Sequence, residues 1–188
     1  MNRVAQASNN YFHYVAFLRG INVGGRAVIK MTEIKAVFER MGFSGVKTVL
    51  ASGNVVFAAL QADEKALRAE IESGLRKVFK RDIYVLLRNR NDLIKLRSSE
   101  PFKGIGALPE VQLYVTFLSD GAKTPKLKIP YATLRNELCI IGATATEVLS
   151  VVHLGKGMGT PELMAILEKE FGSGLTTRNW NTVLKLLA

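Results

Sequence analysis

Residues 13–25 read HYVAFLRGINVGG, and the fold turns on how this stretch is parsed. His13 to Leu18 holds aromatic and β-branched residues without Gly or Pro, which is strand composition. The run stops at Arg19-Gly20, and Gly24-Gly25 follow shortly after. A helix is predicted from about Met31 to Met41, because Ile34, Val37, Phe38 and Met41 fall at i, i+3, i+4 and i+7. Gly42 ends it in the usual C-terminal position. The stretch is therefore a strand feeding a helix through a glycine loop.

Working outward, VKTVLA is a strand, SGN (Ser52 to Asn54) a turn, and VVFAA a second strand. A helix is predicted over 63–80, capped by Asp63, with Leu67, Ile71, Leu75 and Val78 inward. IYVLLR, Ile83 to Arg88, is the next strand. The order β-α-β-β-α-β is the ferredoxin-like split unit. The second half partly repeats it. NDLIKLR is a connecting helix, VQLYVTFL a strand, and ELCII with TEVLSVV a hairpin around Gly142-Ala143. Thr160 caps a further helix with Pro161 in its first turn. A last helix, RNWNTVLKLLA, stands where a fourth strand is due. The expectation is an α+β chain of two packed ferredoxin-like subdomains. A loose arm covers 1–12, the first subdomain 13–89 and the second 90–188, incomplete and ending in helices. No residue-level repeat is convincing, so the duplication reads as topological. Strands apolar on both faces want cover on both, which predicts that the halves pack together around a cleft.

Composition narrows the function classes. The chain has 188 residues, 48% of them apolar, enough for one large domain or two small ones. The longest apolar runs fall far short of the roughly 20 residues that span a bilayer. No apolar leader follows Arg3, and Cys139 is the single cysteine, so a reduced, cytoplasmic setting is expected. The net charge of +10 is uneven: residues 1–100 hold 17 Lys/Arg against 9 Asp/Glu. The densest stretch, Arg76 to Arg97, has eight basic residues and two acidic ones. Such a surface attracts phosphate-bearing partners, and it equally serves solubility.

The split unit puts the loop after the first strand and the hairpin after the second at one edge of the sheet. Arg19, Asn22 and the Gly24-Gly25 backbone are expected there beside Ser52, Gly53 and Asn54, with Lys80 and Arg81 approaching. Glycines permit close approach, Arg19 offers a planar donor fork, and the helix N-terminus favours an anion. The alternative is a tight turn fitted against its neighbour. GINVGGRA spaces Gly20 and Gly25 as in a phosphate loop, but Arg26 and Ala27 replace its Lys and hydroxyl residue. A second glycine loop, GKGMGTPE from Gly155 to Glu162, also leads into a helix. In TTRNWNTV, Thr176 or Thr177 is the expected cap. Trp180, Val183, Leu184 and Leu187 form the apolar stripe, leaving Arg178, Asn181 and Thr182 on another face. Arg178 and Asn181 join the candidate ligand-binding set, or else hold adjacent parts of the chain together. His13 and His153 are the only histidines and sit in strand text. No catalytic constellation, cofactor motif or metal-ligand spacing is present.

FLRGINVGG, MTEIKAVFERMGF, VLASGNVVF and TTRNWNTVLKL together resemble the domain-of-unknown-function family 1697, bacterial cytoplasmic proteins. The resemblance runs from about Tyr14 to Leu187. It implies an α+β fold of two ferredoxin-like subdomains and carries no assigned activity. Where such relatives have a YGKS-like segment, this chain has HLGKGMGTPE, without the serine. Three functions compete. The first is a module binding a nucleic acid or phosphorylated small molecule, the second a structural or protein-interaction domain. The third is an enzyme acting on a small anionic metabolite.

Overall fold

A computed structural model describes residues 11–22, 28–60, 63–106, 108–154 and 159–188. The chain is mixed α and β and divides into two compact units, Met1–Asn91 and Asp92–Ala188. Each unit holds one antiparallel sheet. Among the described residues no helix is long and apolar enough to cross a membrane.

In the first unit the elements are β1 (Tyr11–Leu18), α1 (Met31–Arg40), β2 (Ser44–Val49), β3 (Asn54–Leu60), α2 (Glu64–Phe79) and β4 (Val85–Asn89). The strand order is β2-β3-β1-β4. Tyr14, Ala16 and Leu18 face one way and share a core with Ile34, Val37 and Phe38 of α1 and Leu67, Ile71 and Leu75 of α2. Phe57 is the centre of an aromatic cluster. Its ring meets Phe38 edge-on at 5.2 Å between centroids and Phe43 at 4.8 Å. Val15 and Phe17 point to the opposite face and are also fully buried. Val78, expected inward, is 44% exposed. The helix ends at Phe79 with Lys80 in the left-handed conformation, and Phe79 packs against the core in its place.

In the second unit they are α3 (Arg90–Ser98, beginning at the junction), β5 (Val111–Leu118), β6 (Tyr131–Ala132), β7 (Leu138–Ala143), β8 (Glu147–His153), α4 (Thr160–Phe171), β9 (Leu175–Asn179) and α5 (Trp180–Leu187). Their sheet order is β6-β7-β8-β5-β9. Three expectations are corrected here. The fourth strand exists: Leu175–Asn179 pairs with β5, because its threonines are β-branched and fit the pleat. The helix cap is therefore Asn179, whose Oδ1 accepts from the Asn181 N–H at 2.9 Å, and not Thr176 or Thr177. The buried stripe of α5 is Thr182, Val183, Leu186 and Leu187, while Trp180 is half-buried, edge-on to Phe102 at 5.4 Å.

Two smaller shifts have local causes. The β7–β8 hairpin turns at Thr144–Thr146, not at Gly142-Ala143, since the Thr144 hydroxyl accepts from the N–H groups of Thr146 and Glu147. Gly159 is the N-cap of α4, and the Thr160 hydroxyl bonds that of Tyr114 at 3.1 Å.

The strand register also exposes a repeat at residue level. Tyr14-Val15-x-Phe17-Leu18 matches Tyr114-Val115-x-Phe117-Leu118, and Arg88-Asn89-x-Asn91 matches Arg178-Asn179-x-Asn181. Val15 lies opposite Arg88, and Val115 opposite Arg178. Each Asn caps the next helix at 2.9 Å, and each Arg donates from Nη1 to the preceding carbonyl, at 2.8 and 2.9 Å. The matching pieces are ten residues or fewer and lie 90 or 100 residues apart, so reading along the chain misses them.

Candidate functional site

The edge predicted to gather the candidate residues is assembled by strand pairing. Phe17 lies opposite Asn54, and Leu18 opposite Val85. The Leu18 N–H donates to the Gly53 carbonyl at 2.7 Å, and the Arg19 N–H to the Tyr84 carbonyl at 2.9 Å. The end of β1 is thus knitted to the β2–β3 hairpin on one side and the start of β4 on the other. Arg19 itself is half-buried.

The corner uses its polar groups internally. Asn22, at φ 56°, donates from Nδ2 to the carbonyls of Ile29 and Ala51, both at 3.0 Å. Its Oδ1 accepts from the Ile29 N–H at 2.8 Å. One amide therefore clamps both ends of the glycine loop and the hairpin tip. Asn54 is fully buried and donates to the Val49 carbonyl at 2.9 Å and the Ser52 Oγ at 3.0 Å. Gly53 has φ 79°, and a Cβ there would lie 2.6 Å from Ile21 Cδ1. Ile21 is buried, so an apolar side chain occupies the space between the two turns. Gly24 and Gly25 lie outside the described residues.

The N-termini of α1, α2 and α4 are occupied by the chain's own carboxylates, and those of α3 and α5 by the Asn89 and Asn179 amides. The Lys30 N–H donates to Glu33 Oε2 at 3.1 Å, Lys65 N–H to Asp63 Oδ1 at 2.7 Å, and Gly159 N–H to Glu162 Oε2 at 2.7 Å. A negative group already sits where the helix dipole would hold an external anion. In the second glycine loop, Gly155 to Met158, including Lys156, lie outside the described residues.

Arg178 and Asn181 belong to the second unit. Arg178 is buried and donates from Nη1 to Thr176 Oγ1 at 2.7 Å and the Thr177 carbonyl at 2.9 Å. Burial pushes its pKa down to about 10. Asn181 is exposed and lines a 380 Å³ hollow with Gln112, Asn179 and Trp180. The Asn179 Nδ2 donates to Gln112 Oε1 at 2.8 Å.

His13 is exposed and His153 half-buried. Burial pushes the Cys139 thiol up, away from the thiolate form a nucleophile needs. Among the described residues no three His, Cys, Asp or Glu side chains are grouped to hold a metal ion.

Reading the sequence missed a cavity of about 500 Å³ beside α1 and the end of α2. Val28, Ile29, Ala36, Val78 and Phe79 form its apolar lining, with Glu33, Arg40 and Arg81 as polar members. Nothing in the sequence signalled it, since the spacing of Val78 from Leu67, Ile71 and Leu75 puts it on the inward stripe and only the structure shows it exposed.

Among solved structures, the conserved bacterial protein SP0830 from Streptococcus pneumoniae matches with a TM-score of 0.65 at 15% identity. The match covers 94% of this chain and 97% of that one. At this identity the likeness speaks for the fold. No curated protein matches the chain. The model of the protein family of unknown function DUF1697 matches residues 12–142, and the chain belongs to that family.

Proposed function

We propose that the first unit is a binding module for a phosphate-bearing partner, a nucleic acid or a nucleotide, working in a reducing compartment such as the cytoplasm. The observation that carries this is charge distribution. Residues 1–91 hold 15 Lys/Arg against 7 Asp/Glu, a net of +8 out of +10. Lys77 and Lys80 are exposed at the end of α2, where they also complement the helix dipole. With the helix N-termini self-capped and the Asn22 and Asn54 amides engaged, the anion is held by side-chain cations, and the backbone plays no part. In this reading the β2-β3-β1-β4 order with two helices makes the first unit a ferredoxin-like domain, and β7-β8-β5-β9 makes the second one a variant of it.

The test is fluorescence anisotropy with labelled single-stranded RNA and DNA at low and moderate salt. Affinity is expected to fall with salt, each phosphate contact contributing about −0.7 to the log–log slope for single strands. Lys77→Glu with Lys80→Glu is expected to weaken binding at least tenfold. Absence of binding at low salt sinks the proposal. A second reading, a structural or protein-interaction domain, is favoured by the closed corner, where Asn22 and Asn54 act as clamps.

A further inference from the structure

The 380 Å³ hollow of the second unit follows from unequal strand lengths. Val111, Gln112 and Leu113 of β5 pair with β8, whereas the pairing of β5 with β9 stops at Tyr114, opposite Asn179. The chain then turns into α5, and a notch is left beside the start of β5. Asn179, Trp180, Asn181 and Gln112 line it, together with aliphatic side chains of β5 and the segment before it. Among the described residues none of this lining is charged. The volume lies within the range of about 300–1,000 Å³ typical of ligand pockets.

The internal repeat separates scaffold from addition. Asn89 and Asn179 cap their helices alike, by accepting from the N–H groups of Asn91 and Asn181. Tyr14 lies opposite Asn89 and Tyr114 opposite Asn179, so Gln112 is the counterpart of Phe12, and Trp180 of Arg90. Phe12 packs against the core of the first unit. Gln112 instead accepts from Asn179 Nδ2 at 2.8 Å, and its own Nε2 meets the Pro109 carbonyl at a long 3.5 Å. The cap of α3 forms without a glutamine or an indole, so capping does not explain either residue. Among the described residues the indole of Trp180 has one ring contact, edge-on to Phe102, and no ring stacked on it. Within the same set, neither its N–H nor the Asn181 side-chain amide has a hydrogen-bond partner.

These groups define the chemistry of an occupant. An indole in an uncharged lining takes a flat, uncharged ring by stacking. The Asn181 amide presents a donor beside an acceptor, which pairs with an amino group next to a ring nitrogen, as on adenine. A sugar filling the same space would bring more hydroxyl groups than Asn181, Gln112 and the indole can satisfy, and each unsatisfied one forfeits its hydration.

We infer that this hollow binds an unpaired adenine-like base, stacked on Trp180 with its amino edge on Asn181. The inference goes beyond the phosphate reading, which rests on cations of the first unit. A nucleoside carries no phosphate, so either can fail without the other.

Trp180 is the single tryptophan of the chain, and its fluorescence reports on the hollow directly. The experiment follows its quenching by adenosine, by purine riboside, which lacks the amino group, and by maltose. Adenosine is expected to quench saturably and to bind at least about fivefold more tightly than purine riboside, with no response to maltose. Asn181→Ala keeps the backbone N–H that Asn179 caps. It is expected to leave the urea midpoint unchanged and to weaken adenosine at least about fivefold, down to the affinity of purine riboside. Absence of saturable quenching by adenosine, equal binding of purine riboside, or a response to maltose overturns the inference. So does an Asn181→Ala variant that binds adenosine as the parent chain does.

Discussion

Replacing Gly53 by Ala tests whether the glycine-rich corner is closed by packing. Two separable costs are expected. The first is conformational, since φ is 79° and a residue with a Cβ loses about 1–2 kcal/mol in the left-handed region. The second is steric. The new methyl would lie 2.6 Å from Ile21 Cδ1, 2.7 Å from Ile21 Cγ1 and 3.0 Å from Leu18 Cβ. Ile21 is 3% exposed and Leu18 1%, so neither has free space to retreat into. Overpacking of this kind costs about 1–3 kcal/mol. Gly20→Ala supplies the internal control. Gly20 has φ 68°, but among the described residues nothing lies within 4 Å of the added Cβ, so only the conformational cost applies. Gly53→Ala is therefore expected to destabilise the first unit by about 1–3 kcal/mol more than Gly20→Ala. Native-state hydrogen exchange of the slowest β1 and β3 amides reads this locally, with every 1.4 kcal/mol appearing as about a tenfold faster exchange. Equal effects from the two substitutions would refute the closed corner and restore Gly53 as a point of ligand approach.

Three further outcomes follow from the same geometry. Asn22→Ala removes a clamp that makes three hydrogen bonds and strands the Ile29 N–H, so it is expected to cost about 2–4 kcal/mol by the same exchange measurement. Arg178→Ala leaves a void and unpaired hydroxyl and carbonyl groups. It is expected to lower stability by about 2–4 kcal/mol in urea melts followed by Trp180 fluorescence, whereas Arg178→Met, similar in volume and without a buried charge, loses less than half of that. The Thr133 hydroxyl donates to Glu137 Oε2 at 2.7 Å and, as the leading cause, holds that carboxyl below its usual range. A lowered carboxyl pKa stabilises the fold above the ordinary carboxylate range and loses that effect as pH falls through the folded value. The stability gap between the parent chain and Thr133→Val is therefore expected to narrow between about pH 5 and pH 2, and a gap that stays constant would refute the link.

Periodicity alone determined most of the elements. The Ile34, Val37, Phe38 stripe of α1 and the Leu67, Ile71, Leu75 stripe of α2 are buried as their spacing requires, because a helix face repeats whatever its neighbours are. The β1 edge could also be deduced, since a split unit leaves few places for the loop after Leu18. What the polar residues do there could not be deduced. Asn22 and Asn54 read as ligand donors until Ile29, Ala51, Val49 and Ser52 stand beside them and take their hydrogen bonds. The β9 strand was hidden because Thr176 and Thr177 suit a helix cap and a pleat equally well, and only pairing with β5 selects one. The Arg81 cavity is likewise a product of tertiary structure. Val28, Arg40 and Val78 are far apart in sequence, and a hollow exists only once α1 and α2 are docked, since concavity belongs to the packed surface and has no period along the chain.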